Sequence, residues 1–180
     1  MSVLLRPLEV ADAAELLALL VANRTFLQPF EPVRADRFFT LDEQRALLRT
    51  MADDRADDRG YAFAVVERGE GVIVGQVTLS TVVRGAWQNA NAGYWIDRAR
   101  GRRGYATEAV RRAVEFAFGE LHLHRVQAGV MPRNLASIRV LEKNGFRREG
   151  VAARYLQIAG AWEDHLLFAI TRDEWNAESP

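Results

Sequence analysis

The run GRRGYATEAVRRAVEFAFG, residues 101–119, constrains the fold more than any other stretch of the chain. Ala106, Ala109, Val110, Ala113, Val114 and Ala117 recur there at steps of three, one, three, one and three, the spacing of one buried helix face. Glu108 and Arg112 fall at i,i+4 on the outer side, and Gly119 is placed to end the helix. Asn91 to Ile96 reads as a strand before it, and Arg100, Gly101, Arg102, Arg103 and Gly104 form a basic, glycine-containing loop between the two. Such a strand–loop–helix arrangement is a physical anion site, because the amides of the first turn lack intrahelical acceptors and the helix dipole favours negative charge. Gly104 would let a phosphate approach the backbone, and Tyr105, Ala106 and Thr107 would supply first-turn amides. The loop matches neither the P-loop, which needs Lys then Ser or Thr after its last glycine, nor the three-glycine dinucleotide fingerprint. Nucleotide hydrolysis and hydride transfer are therefore disfavoured.

The other elements follow from pattern and punctuation. Val3 to Leu8 reads as a strand, and Leu16, Leu17, Leu19, Leu20 and Val21 fall on helical spacing after Asp12, with Glu15 placed to complete a capping box. A loop containing Pro29 and Pro32 leads to Thr40 and Glu43, a second capping signal that opens a helix to about Met51, and Asp53 to Asp58 reads as a solvated turn. Tyr61 to Glu67 and Val72 to Val83 form a hairpin about Gly69 and Gly71. Arg125 to Met131 reads as a strand and Asn134 to Asn144 as a helix closed by Gly145, with further strands over Tyr155 to Ile158 and His165 to Thr171. This order predicts a mixed α/β (α+β) fold with a partly antiparallel sheet. At 180 residues it fills one domain, 1–180.

Composition removes several function classes. The absence of cysteine excludes disulfides, thiol nucleophiles and iron–sulfur clusters, and three scattered histidines suggest no metal. With 24 basic and 24 acidic residues, a broad nucleic-acid face is not expected. Locally, residues 98–112 hold six arginines against Glu108 alone, which reads either as an anion-docking patch or as a solvated arginine face. The longest apolar run, Leu16 to Ala22, is far too short to span a bilayer, and no secretory signal is legible, so a cytoplasmic address is expected.

The pair GRRGYATEAV (101–110) and NLASIRVLEKNGFRREG (134–150) resembles the acetyl-CoA-binding core of the GNAT acetyltransferases. The surrounding YWID (94–97), HLHRVQAGVMPRN (122–134) and YLQIAGAWEDHLLFAIT (155–171) resemble the RimJ/RimL branch, which acetylates protein N-termini. The resemblance implies a GNAT-type mixed, mostly antiparallel sheet with flanking helices and a splayed parallel strand pair, Asn91–Ile96 and Arg125–Met131. Acetyl-CoA would lie in the splay, its pantetheine arm on backbone atoms of Trp95 and Ile96, its pyrophosphate on the amides of Arg102, Arg103, Gly104, Tyr105, Ala106 and Thr107. Asn134 would hydrogen-bond the cosubstrate near its thioester, and Ser137 matches the serine that protonates the leaving thiolate in this branch.

The chain departs from the family at three places. Gly101 and Arg102 stand where the loop usually has Gln or Arg and then Gly, Leu141 where many members carry a tyrosine acid, and Asn91 where a glutamate base is often found. The base is thus open, with Glu31, Glu163 and Asp164 reachable through water, while His122, His124 and His165 read as packing or surface groups. An α-amine of pKa about 7.7–8.0 is roughly a fifth to a third neutral near pH 7.4, against about 0.1% for lysine. That difference of ~3.5 kcal/mol is comparable to the contribution of a general base. The expected acceptor is therefore a protein or peptide N-terminus, a ribosomal protein among the candidates, with no direct nucleic-acid or membrane partner and a monomer or homodimer. The alternatives are a small amine (an amino acid, polyamine or drug), a non-catalytic acyl-CoA sensor, or a ribosome-associated RNA contact through Arg98 to Arg112.

Overall fold

The computed structural model describes residues 2–178. Seven strands form one sheet: β1 (Val3–Pro7), β2 (Tyr61–Glu67), β3 (Ile73–Val83), β4 (Asn89–Ile96), β5 (Arg125–Val130), β6 (Arg147–Ile158) and β7 (Ala161–Thr171), in the order β1-β2-β3-β4-β5-β7-β6. All neighbours are antiparallel except β4 and β5, which are joined through α3 (Tyr105–Gly119) and run parallel. That crossover is what the 101–119 stripe builds, and its Ala109, Val110, Ala113, Val114 and Ala117 are all buried.

Alternation along the strands divides the core into two layers. Val77, Leu79, Ala90, Val126, Ala128, Val130, Leu166, Phe168 and Ile170 face α3 and the short helix α4 (Leu135–Glu142). Ala64, Val66 and Ile73 face α1 (Ala13–Leu27) and α2 (Leu41–Ala56), together with Leu16, Leu20 and Leu48. Thr40 caps α2 by accepting the Glu43 amide at 3.4 Å, as its spacing predicts.

Several local expectations are corrected. The Asp12 carboxylate accepts the Glu9 amide and pairs with Arg6, so the capping box lies one turn earlier, and Glu15 instead accepts the Ile73 amide at 2.7 Å. Residues 53–56 continue α2 rather than turning, with Asp54 held by Arg59 and, beyond the helix, Asp58 held by Arg84. The last two strands are far longer than 155–158 and 165–171, because β6 is an exposed sheet edge whose residues carry little apolar alternation. A final helix, α5 (Arg172–Glu178), has no counterpart in the sequence reading.

Candidate active site

Strands β4 and β5 pair over only three positions, Asn89 with Arg125, Ala90 with Val126 and Asn91 with Gln127. Beyond these they part. Ala92 to Ile96 stay with β3, and Ala128 to Val130 stay with β7, so a wedge opens between the two strands toward their C-terminal ends. The fork is closed by an amide pair, Gln127 Nε2 donating to Asn91 Oδ1 at 2.7 Å. Two residues further along each strand, on the face of Asn91 and Gln127, stand Gly93 and Gly129, both exposed. The missing side chains leave this face of the gap between the separating strands bare, a window onto the wedge.

The loop leaving β4 turns through Asp97–Arg100 into α3, with Gly104 in the left-handed region at φ 80° as the N-cap. The first helical bond is Glu108 N–H to Gly104 O, 3.0 Å, and the amides of residues 102–107 donate to no acceptor among the described residues. Six consecutive free N–H groups at a helix N-terminus fit a diphosphate. The loop is braced from the β2–β3 hairpin: Arg100 pairs with Glu67 at 2.5 Å and Glu70 at 2.7 Å, Arg103 lies 3.5 Å from Glu67, and the Tyr105 hydroxyl donates to Glu67. With Arg111 on Glu115 and Arg112 on Glu108, four of the six arginines are paired, and three of their four acids, Glu67, Glu70 and Glu115, lie outside residues 98–112.

On the α3 face of the wedge, Asn134 caps α4, its Oδ1 accepting the Ser137 amide at 3.1 Å. Its Nδ2 therefore remains as a donor with no partner among the described residues. The Ser137 hydroxyl lies 2.8 Å from the Tyr94 hydroxyl, which also donates to Ser137 O at 3.1 Å. One self-consistent assignment exists for these contacts: Tyr94 gives its proton to the carbonyl, and Ser137 gives its own to Tyr94. Burial pushes the Tyr94 hydroxyl up to about 12, the Ser137 contact offsetting only part of this, so it stays protonated at neutral pH. Trp95, the next residue, packs instead with the α1–α2 layer. The sequence gives no signal for the Tyr94–Ser137 pair, since a Gly-Tyr-Trp strand reads as core and the partners are 43 positions apart.

The opposite face of the wedge lies under the α1–α2 connection. Ala159 N–H donates to Glu31 O at 2.9 Å, and Arg133 donates to Pro29 O at 3.3 Å and pairs with Glu163 at 2.7 Å. Trp162 is exposed near the start of β7, while His165 is buried beside Gly129. Of the three carboxylates reachable through water, Glu163 is held below its usual range by its hydrogen bond from Arg133. Asp164 accepts the Arg154 amide at 2.8 Å. Burial raises the Glu31 carboxyl above its ordinary value, with Arg34 opposing, beside a small cavity lined by Leu20, Phe38 and Phe39.

Thus the residues singled out in sequence (Trp95, Ile96, Arg102 to Thr107, Asn134 and Ser137) all gather at the C-terminal ends of the parallel pair. Wedge, amide loop and capped α4 make the candidate site of an acyl-CoA-dependent acetyltransferase. A sequence model of the acetyltransferase (GNAT) domain matches residues 2–147, and the chain belongs to that family. It is 45% identical to a probable N-acetyltransferase, YjcK, of Bacillus subtilis over 169 residues, 94% of this chain and 93% of the relative. It is 34% identical over 164 residues to the ribosomal protein uS5-alanine N-acetyltransferase of Escherichia coli, 91% and 84% of the two chains. Among solved structures, the ribosomal-protein-S5-alanine acetyltransferase of Vibrio fischeri superposes with a TM-score of 0.92 at 32% identity, covering 100% of this chain and 97% of that one. RimJ of Mycobacterium smegmatis, in complex with CoA-disulfide, gives 0.91 at 35% identity, covering 96% and 83%. The protein is an N-acetyltransferase with acetyl-CoA as cosubstrate.

Proposed function

We propose that the enzyme acetylates the N-terminal α-amine of a protein, with Ser137 as the proton donor to the departing sulfur. Acetyl-CoA supplies an activated acetyl group as a thioester. The amides of Arg102, Arg103, Gly104, Tyr105, Ala106 and Thr107 hold the diphosphate, and the end of β4 at Trp95 and Ile96 holds the pantetheine arm, the Ile96 backbone facing the wedge while the Trp95 carbonyl faces Gly75 of β3. Asn134, with Oδ1 fixed by the Ser137 amide, aims Nδ2 at the thioester region. Ser137 turns its hydroxyl hydrogen from Tyr94 to sulfur, and the Tyr94 hydroxyl, 2.8 Å from Ser137 Oγ and kept protonated by its burial, swings from Ser137 O to reload Ser137.

The observation that carries the choice of acceptor is at the fork. Where a carboxylate base would stand, Asn91 is spent on an amide pair with Gln127, so the site lacks the strong base that a lysine side chain demands. An α-amine needs about 3.5 kcal/mol less help at neutral pH. Two similar proteins are named as acetyltransferases of an alanine of a ribosomal protein, which supports a ribosomal protein as acceptor and the cytoplasm as the place of reaction. The test is a competition, with CoA release as the readout, between peptides with a free N-terminus, the same peptides N-blocked but carrying lysine, and small amines. Free N-termini are expected to react fastest; preference for lysine or a small amine would overturn the reading.

A further inference from the structure

We infer that His165 is the missing base, its Nε2 taking the first proton from the acceptor's α-ammonium. This rests on the α-amine acceptor proposed above and extends it. His165 lies on β7 and is 3% exposed, yet its ring is oriented by one specific contact, Nδ1 at 3.0 Å from Glu163 O. A carbonyl oxygen can only accept, so Nδ1 carries the hydrogen and Nε2 carries the lone pair. That nitrogen meets no partner among the described residues, and it is not sealed from solvent as both side-chain polar atoms of Asn89 are.

The place of the ring matters as much as its tautomer. His165 Cδ2 and Cβ lie 3.6 and 3.8 Å from where a Cβ on Gly129 would stand, so the ring's Cδ2 side, next to Nε2, lies against β5 at the wall of the window. Tyr155 packs edge-on against the ring at 5.6 Å and holds it there. Ser137 and Tyr94 stand on the α3 face of the sheet and His165 on the other, which places a proton acceptor on the amine's side of the wedge and a proton donor on the thiol's side. The charged or titratable groups around the ring are Glu163 and Asp164 on β7, Arg154 and Tyr155 on β6, Arg133 after β5, and Glu31 from the α1–α2 connection. Glu163 and Asp164 are occupied by Arg133 and the Arg154 amide, and on this face β5 offers Arg125, itself held by Glu149, with Gln127 and Gly129. Proton bookkeeping closes. The α-ammonium gives one proton to Nε2, which passes it to water. The freed lone pair forms the N–C bond, the C–S bond breaks, and the second nitrogen proton balances the one delivered to sulfur.

His165→Asn tests this, because the asparagine amide keeps a donor near the Nδ1 position while removing the base. At pH 7, where only about a tenth to a sixth of the free α-amine is neutral, its kcat/KM on an α-amine peptide should fall about 6- to 11-fold, and near pH 9, where the α-amine is almost wholly neutral, the deficit should shrink to within about twofold. CoA affinity by calorimetry should not change. Independently of activity, long-range proton–nitrogen NMR of neutral His165 should show the hydrogen on Nδ1. A hydrogen on Nε2, a wild-type rate at pH 7, or a loss undiminished at pH 9 would each overturn the assignment, the last marking a structural residue. His165→Gln serves if the asparagine variant melts early. If the wild type prefers another amine, the acceptor reading fails, and an unchanged His165→Asn rate on that amine would separately overturn the proton role.

Discussion

Gly75 on β3 is the position where a single added methyl should damage both the fold and the cosubstrate site. It pairs with Ile96, and Asp97 N–H donates to Val74 O at 2.8 Å, so β3 and β4 are tightly joined there. A Cβ on Gly75 would overlap the Trp95 carbonyl oxygen and stand 2.8 Å from Ile96 Cδ1 and 3.0 Å from Ile96 Cα. These are mostly backbone atoms, so relief requires that β4 move by several tenths of an ångström just where its edge is proposed to hold the pantetheine arm. Overpacking of this kind costs about 1–3 kcal/mol, which for a chain of this size lowers Tm by about 3–10 °C. If half of that strain falls on the bound geometry, CoA affinity drops about 2- to 12-fold. Gly69→Ala is the control, since nothing lies within 4 Å of a Cβ there. Thermal melts and CoA calorimetry of Gly75→Ala measure both effects. A variant that melts with the wild type and binds CoA equally well would refute the argument.

Three further outcomes are expected. Ser137→Ala should reduce turnover much more than CoA affinity, and Tyr94→Phe should do so less severely while lowering stability by about 1 kcal/mol for the lost hydrogen bonds; equal losses of turnover and affinity in Ser137→Ala would mark Ser137 as a binding residue only. Gly129→Ala should fold normally, because its Cβ would meet Tyr155 and His165 at ordinary contact distances of 3.4 and 3.6 Å, but should raise the acceptor KM by narrowing the window. Burial pushes the Glu108 carboxyl up, but hydrogen bonds from the Ser2 amide, Arg112, the Ser2 hydroxyl and the Val3 amide outweigh it and hold the group at about 2. Its stabilisation is therefore complete above the ordinary value of 4.5 and is lost as pH falls toward 2. The full linkage value is about 3 kcal/mol and about 1–2 after solvent screening, so Glu108→Gln should flatten the wild-type loss of stability between those pH values in urea melts.

Legibility followed the range of each interaction. The α3 stripe, the Thr40 cap, Asn134 as N-cap and Gly145 at the end of α4 are local, and each stands where spacing puts it. The parallel wedge and its amide loop were legible through family resemblance rather than through composition. What escaped depends on contacts between distant segments. The arginine patch looked unbalanced because its acids, Glu67 and Glu70, come from another hairpin. Asp12 was given the wrong partner because Arg6 competes for its carboxylate. β6 lacked a period because an edge strand exposed on much of its length needs none. Tyr94 beside Ser137, and His165 over Gly129, have no sequence signature at all, although they turn a binding cleft into a candidate proton path.

The central claim is that the free amides of residues 102–107 grip the diphosphate of CoA and so set the thioester between β4 and β5. A proton–nitrogen NMR titration with CoA tests it most directly. The account predicts that the largest amide shifts fall on residues 102–107, with a second group at Trp95 and Ile96. Shifts confined to other parts of the chain, with the 102–107 amides unmoved at saturation, would contradict it.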